Sequence, residues 1–170
     1  RASASAFTAF AFCSALEAIT LPEGVEAVGE GAFRDCLSLQ ELVVPDGVKS
    51  LGERVLQNCV ALSRVVVPAS VEEIPYYAFY DCDSLADVTI EEGVEVIGER
   101  AFQSCDALKE VVLPASVRAI ERNAFYNCVA LESISLPAEL AIINKETFYN
   151  CENLKRVTIP EEVVIIDNYA

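Results

Sequence analysis

Cysteines stand at positions 13, 36, 59, 82, 105, 128 and 151 of the 170-residue chain, each 23 residues from the next and each followed three residues later by leucine. Thiols at a fixed interval suggest a metal site, disulfides or a nucleophile, and each has its own geometric demand. Zinc needs ligands that converge at spacings such as C-x-x-C, usually with histidine partners. Here the closest cysteines are 23 residues apart and the chain has no histidine. The same absence removes the base of a Ser-His or Cys-His pair. Stacked units would bring neighbouring cysteine Cα atoms within disulfide range, yet equivalent side chains then point in parallel and the count is odd. A buried cysteine behaves as a small hydrophobe. The spacing therefore favours a ladder of free core thiols over one or two disulfides, and both over a metal site.

Carboxylates are numerous enough, at 27, for a pair to do acid-base work. However, Glu23, Glu30, Glu53, Glu92 and Glu99 fall at turn positions on the outside of successive units, where an acidic residue is ordinarily a solvated surface group. Gly29-Glu30-Gly31 lacks the full spacing of a phosphate-binding loop. No catalytic residue, metal ligand or cofactor site is assigned, and the chain reads as a non-enzyme.

The cysteines mark a repeat, and the repeat defines the elements that position everything else. A period between 20 and 50 residues signals stacked units that bury their apolar faces only against one another. The units follow L-x-x-I-x-L-P-x-x-V-x-x-I-x-x-x-A-F-x-x-C-x-x, as in Leu85, Val88, Ile90, Val94, Ile97, Ala101, Phe102 and Cys105. They form a single array: a partial repeat at 1–15, full repeats at 16–38, 39–61, 62–84, 85–107, 108–130 and 131–153, and a truncated repeat at 154–170. Departures occur at Glu91 in place of proline, at Val55-Leu56 in place of Ala-Phe, and at Pro75.

Each unit translates into local structure. Ile19 and Leu21 are two apart, the period of a half-buried strand, with Ala18 and Thr20 facing outward. Proline at 22, 45, 68, 114, 137 and 160 ends that strand because it cannot donate to a ladder. Val25 and Val28 begin a second short extended segment, and Gly24, Gly47 and Gly93 relax the corner between the two. Ala32, Phe33 and Cys36 sit at i, i+1 and i+4, a spacing that suits a one- to two-turn helix.

Composition bounds the partners. Apolar residues make up 53% of the chain and the net charge is -15. A surface this acidic repels phosphate backbones and anionic lipid heads, which disfavours nucleic acid and membrane surfaces. No apolar run reaches the length that spans a bilayer. The apolar opening RASASAFTAFAFCSA is not an export signal, because Ala9, Phe10 and Cys13 keep register with Ala32, Phe33 and Cys36. Fraying is expected over Ala2 to Ala6. With Arg1 first and Ala170 in mid-repeat, the sequence reads as a piece of a longer protein. Its uncapped apolar ends favour end-to-end self-association, which would then reflect truncation and not biology.

The L-x-x-I-x-L-P unit closing in A-F-x-x-C, repeated from residue 9 to 170, resembles the BspA-type leucine-rich repeats found mainly in bacterial surface proteins. The resemblance implies a right-handed, curved leucine-rich-repeat solenoid with one short parallel strand per coil on the concave face. It also implies an extracellular or cell-surface location and binding of host proteins or other cells, that is, adhesion. A spacer, or an accessory domain of a larger secreted enzyme, is the alternative.

Two surfaces are candidates for the contact. One is a pair of outward strand columns: Thr20, Val43, Val66, Thr89, Val112, Ser135 and Thr158, beside Ala18, Glu41, Arg64, Asp87, Glu110, Ser133 and Arg156. β-branched residues also suit exposed strands for their own sake, and Arg64 with Asp87 could simply pair across adjacent coils. The other is aromatic, with Tyr76, Tyr77 and Tyr80 in one coil and Tyr126 and Tyr149 at the repeat position of Tyr80. Tyrosine offers a large rigid contact with a polar tip. A protein ligand is the leading expectation and a glycan the second.

Overall fold

The structure is a computed structural model and describes residues 9–170. The fraying expected over Ala2 to Ala6 lies outside the described residues. Thirteen short strands alternate along the chain: β1 (Ala27–Val28), β2 (Glu41–Val43), β3 (Ser50–Leu51), β4 (Arg64–Val67), β5 (Glu73–Ile74), β6 (Asp87–Ile90), β7 (Val96–Ile97), β8 (Glu110–Val112), β9 (Ala119–Ile120), β10 (Ser133–Ser135), β11 (Ile142–Ile143), β12 (Arg156–Val157) and β13 (Ile165–Ile166). Even-numbered strands pair only with one another, odd-numbered strands likewise, and every pairing is parallel. Partners such as Glu41, Arg64 and Asp87 are 23 residues apart, so each turn of the solenoid is one repeat.

Alternation decides which side of each strand faces in. Leu42, Val65, Val111 and Ile134 are buried while Glu41, Arg64, Glu110 and Ser133, one residue earlier, are exposed. After every even-numbered strand except β6 the chain turns on proline, whose carbonyl accepts from the backbone N–H three residues on, as from Val48 to Pro45 at 3.0 Å and Val117 to Pro114 at 3.1 Å. Glu91 has the N–H that proline lacks and donates it to Val67 O at 3.0 Å. That extra bond extends the β4–β6 pairing to Val67 and Ile90.

The helix expected at Ala32-Phe33-Cys36 and its equivalents does not form, and there is none among the described residues. A helix needs consecutive right-handed residues with N–H groups turned back along the chain. Here left-handed residues recur twice per coil, as at Arg54 (φ 58) and Asn58 (φ 59), then Tyr77 (φ 56) and Asp81 (φ 55). Alternate N–H groups are committed to the following coil: Arg54 to Tyr76 O at 2.9 Å, Leu56 to Ala78 O at 2.9 Å and Asn58 to Tyr80 O at 2.7 Å. The remaining groups close short turns, such as Gln57 N–H to Arg54 O at 3.1 Å. This segment is therefore a third intercoil ladder made of stacked turns. The left-handed backbone lies here and not at the corner glycines, of which only Gly93 (φ 126) has a positive φ.

Individual substitutions interrupt the ladders at different levels. Gly52 donates to Val28 O at 2.7 Å and Gly98 to Ile74 O at 2.8 Å. Pro75, at the equivalent position, has no N–H, and the odd-numbered pairing stops between β3 and β5. Asn144 supplies its side-chain amide to Ile120 O at 2.7 Å instead, and the pairing stops between β9 and β11. The even-numbered set parts between β6 and β8, beside half-buried Val88. No two breaks share a level, so the turn ladder and one strand ladder bridge each gap.

The interior is filled by the repeat positions themselves. Phe33, Leu56, Phe79, Phe102 and Phe125 are essentially inaccessible, and burying each large apolar side chain is worth roughly 1.5–3 kcal/mol. Rings stack along the axis from Phe79 to Phe102 at 5.1 Å, to Phe125 at 5.3 Å and to Phe148 at 5.8 Å. Leu56 interrupts this row between Phe33 and Phe79 without opening a gap, since Val55 and Leu56 are both fully buried.

Candidate functional site

Parallel pairing in strict register turns outward residues into columns, and this creates the extended face of the even-numbered strands. Ala18, Thr20, Glu41, Val43, Arg64, Asp87, Thr89, Glu110, Val112, Ser133, Ser135, Arg156 and Thr158 are exposed, and Val66 is half-buried. Ala18 joins the face through a bridge to Glu41. Val43 and Val112 are 62% and 63% exposed, more than burial-driven packing would leave for valine. Arg64 pairs with Asp87 at 3.3 Å, and Lys155 with Glu132 at 2.6 Å. The lysine's hydrogen bond holds the Glu132 carboxyl below its ordinary value. At the β10–β12 end a groove of about 720 Å³ is lined by Ser133, Ser135, Arg156 and Thr158. The face is thus apolar around β2 and β4 and hydroxyl-rich around β10 and β12.

The tyrosines do not form one row. Tyr77 packs edge-on against Tyr76 at 4.1 Å and against Tyr80 at 4.5 Å, whereas Tyr126 stacks on Tyr149 at 5.1 Å. Gln103 holds the intervening repeat position and separates the two groups. The first group has cationic neighbours: Arg54 lies over Tyr76 at 5.0 Å, Arg100 lies over Tyr77 at 5.5 Å, and Arg100 Nη1 donates to the Tyr77 hydroxyl at 3.1 Å. Burial is the largest influence raising the Tyr77 phenol, with the Tyr76 hydrogen bond next and Arg100 opposing it. Sequence reasoning missed both arginines, although they sit one repeat to either side of Tyr77 at 54 and 100.

The acidic turn residues divide. Glu23, Glu30, Glu53 and Glu92 are exposed as expected. Glu92 nevertheless accepts the backbone N–H groups of Ala115 at 3.0 Å and Ser116 at 3.1 Å. Glu99 is half-buried and pairs with Arg100 at 3.3 Å and Arg122 at 2.9 Å.

All seven cysteines are free thiols; Cys36 to Cys128 are buried, Cys151 is half-buried and Cys13 is exposed. Cys13 thus departs from the inward position that the period assigns it. The inner thiols do more than fill space. Each Sγ donates to the backbone carbonyl 26 residues earlier, as Cys59 to Phe33 O at 3.1 Å, Cys105 to Phe79 O at 3.3 Å and Cys128 to Phe102 O at 3.1 Å. Burial pushes the Cys59 thiol up to about 12 and that of Cys151 to about 11, and raises Cys82, Cys105 and Cys128 well above the ordinary value. Thiolate chemistry is suppressed along the spine. Among the described residues no group of three or more cysteines or carboxylates converges to hold a metal ion.

Two short parallel strands per 23-residue turn, with outward and inward columns in register and leucine-type residues filling the inside, define a leucine-rich-repeat solenoid. Its sequence is matched by the family described as BspA type Leucine rich repeat region, in six copies, over residues 6–131 and 72–170. The chain belongs to that family. It is similar to three leucine-rich repeat proteins of known structure. That from T. pallidum is 33% identical, with a TM-score of 0.84 over 88% of this chain and 73% of the other. That from Eubacterium ventriosum is 34% identical, with a TM-score of 0.77 over 86% of this chain and 39% of the other. That from Bacteroides ovatus is 31% identical, with a TM-score of 0.78 over 85% and 37%. The chain thus spans well under half the length of the last two. No curated protein matched it.

Proposed function

We propose that this solenoid is a non-catalytic protein-interaction module of a larger cell-surface or secreted bacterial protein, acting in adhesion or host-protein binding through the face of the even-numbered strands. The observation that carries this reading is the two valines, Val43 and Val112, held more than 60% exposed on the two registered sheets of the even-numbered strands. Such a face supplies preordered contact area, which lowers the entropy cost of binding. Its location at the cell surface is argued from the family resemblance.

The test is binding of the chain to an arrayed panel of host extracellular proteins and glycans, with Val43→Ser/Val112→Ser and Arg64→Glu measured in parallel. Binding to a protein that falls at least tenfold in either variant supports the reading, since central contacts typically carry energies of that size. A chain that binds nothing on the panel is a spacer, and equal binding by the variants moves the site elsewhere.

A further inference from the structure

The odd-numbered strands present a second outward face, which lies apart from the even-numbered columns and meets the candidate tyrosine surface at Tyr76. Its residues change character along the axis. Ala27 and Ser50 pair in register at one end, followed by Glu73, which pairs with Val96, and by Ala119, which pairs with Val96 on its other side. Ile142 and Ile165 pair at the other end and are 37% and 50% exposed. With adjacent coils about 4.8 Å apart, half-buried Val96 and Ala119 and exposed Ile142 and Ile165 make an apolar stripe roughly 14 Å long on the solenoid's flank. Such stripes with polar rims are characteristic of interaction surfaces.

At the Val96 end the stripe runs into a groove of about 620 Å³ between Tyr76, Glu73 and Glu121, with Gly98 in its floor. A side chain at Gly98 would strike Ile74 O at 2.6 Å and Pro75 C at 2.9 Å, so the floor stays open. The two guanidinium groups that line the groove, those of Arg100 and Arg122, are both engaged by Glu99. Glu73 and Glu121 have no ion-pair partner among the described residues and carry its surplus negative charge.

We infer that this flank docks a cationic amphipathic helix of a partner protein, with a lysine or arginine in the Tyr76 groove between Glu73 and Glu121 and apolar residues along Val96 to Ile165. Spacing selects a helix. Residues three and four apart on a helix face recur every 5–6 Å or so, close to the coil spacing, whereas one face of a strand recurs only about every 7 Å. Charge selects the cation: the chain carries -15 overall, and a long basic side chain can lay its stem on Val96 and Tyr76 while its head reaches the carboxylates. This docking is independent of the proposed role of the even-numbered face.

The test is an NMR titration of the isotope-labelled full chain with an amphipathic Leu/Lys helical peptide of about 18 residues, and with a scrambled peptide of the same composition that has no apolar face. Amide shifts should centre on Glu73, Val96, Ala119 and Ile142, with the scrambled peptide binding at least tenfold more weakly. Glu73→Gln/Glu121→Gln should weaken the helical peptide about tenfold, and Ile142→Ser/Ile165→Ser should do the same. Glu41→Gln/Glu110→Gln, which changes the net charge equally on the other face, should weaken it less than about threefold. Equal binding of the scrambled peptide, an equal loss in the Glu41/Glu110 variant, or shifts centred on the even-numbered strands overturns the inference.

Discussion

The coils at 85–107 and 131–153 follow one template and place it in different surroundings. Phe102 is fully buried between Phe79 and Phe125, at 5.1 and 5.3 Å. Phe148 is half-buried and stacks on Phe125 alone, at 5.8 Å. Cys105 is fully buried and Cys151 only partly, although both thiols donate to the carbonyl 26 residues earlier. The residue types are the same, so the difference comes from the neighbours. In a solenoid the worth of a side chain is a nearest-neighbour quantity, and interior coils should be stable and chemically silent where end coils are not.

The sharpest measure of that contrast is thiol labelling. A native-state reaction with a small thiol reagent should modify exposed Cys13 at the rate of a free cysteine and Cys151 more slowly. Cys59, Cys82, Cys105 and Cys128 should react only through opening, slower by a factor on the order of 10³ or more. Uniform fast labelling would dissolve the distinction between interior and ends.

Next in size is truncation of the aromatic row. Phe102→Ala should cost about 3–5 kcal/mol in chemical denaturation, and Phe148→Ala about 1–2 kcal/mol because less apolar area is lost. Equal losses would mean that the coil at 131–153 is as well packed as that at 85–107.

Alkaline pH probes the same contrast through protonation. The Cys59 thiol lies at about 12 in the folded chain against an ordinary 9.0, so the folded state binds more protons than the unfolded state between those values. Its contribution is complete below pH 9 and is lost as pH rises toward 12, at about 1.4 kcal/mol per pH unit for each such thiol. Cys151, at about 11, stops contributing to this slope earlier. Cys59→Ala should flatten the decline in denaturation midpoint between pH 9 and 11 relative to the parent chain. An unchanged slope would show that Cys59 ionises without unfolding.

Much of this was readable in advance because period and burial are written in the same positions. The 23-residue interval fixed which residues stack, and the alternation at Ile19 and Leu21 fixed which strand side faces in. The helix expected after Val28 was misread for a definite reason. Apolar positions at i, i+1 and i+4 fit any compact turn with one inward side, and they do not reveal where the N–H groups go. Left-handed Arg54, Tyr77 and Glu146 are residues whose types give no warning of a positive φ, although Asn58, Asn123, Asn127 and Asn150 at the same two positions do. The flank stripe stayed hidden because Val96, Ala119 and Ile142 immediately precede inward isoleucines, and pattern alone does not distinguish a second apolar side from a thicker core.

The smallest expected effect separates contact from packing on the even-numbered face. Val43 and Val112 lie on three-residue strands whose inward neighbours, Leu42 and Val111, are fully buried. If the outer valines are there only because β-branched residues suit a strand, replacing both by threonine should keep that preference and leave stability within about 0.5 kcal/mol. Replacing both by serine removes the branch as well and should cost at most about 1 kcal/mol in total. The inner pair should behave otherwise, with Val111→Ala costing about 2–3 kcal/mol because its cavity lies between two packed coils. A thermal melt in which the outer pair costs as much as the inner one would make the face part of the core's packing. The observed exposure argues for the opposite ordering, in which these two valines can be changed at little structural cost and any loss of binding in their variants belongs to the contact itself.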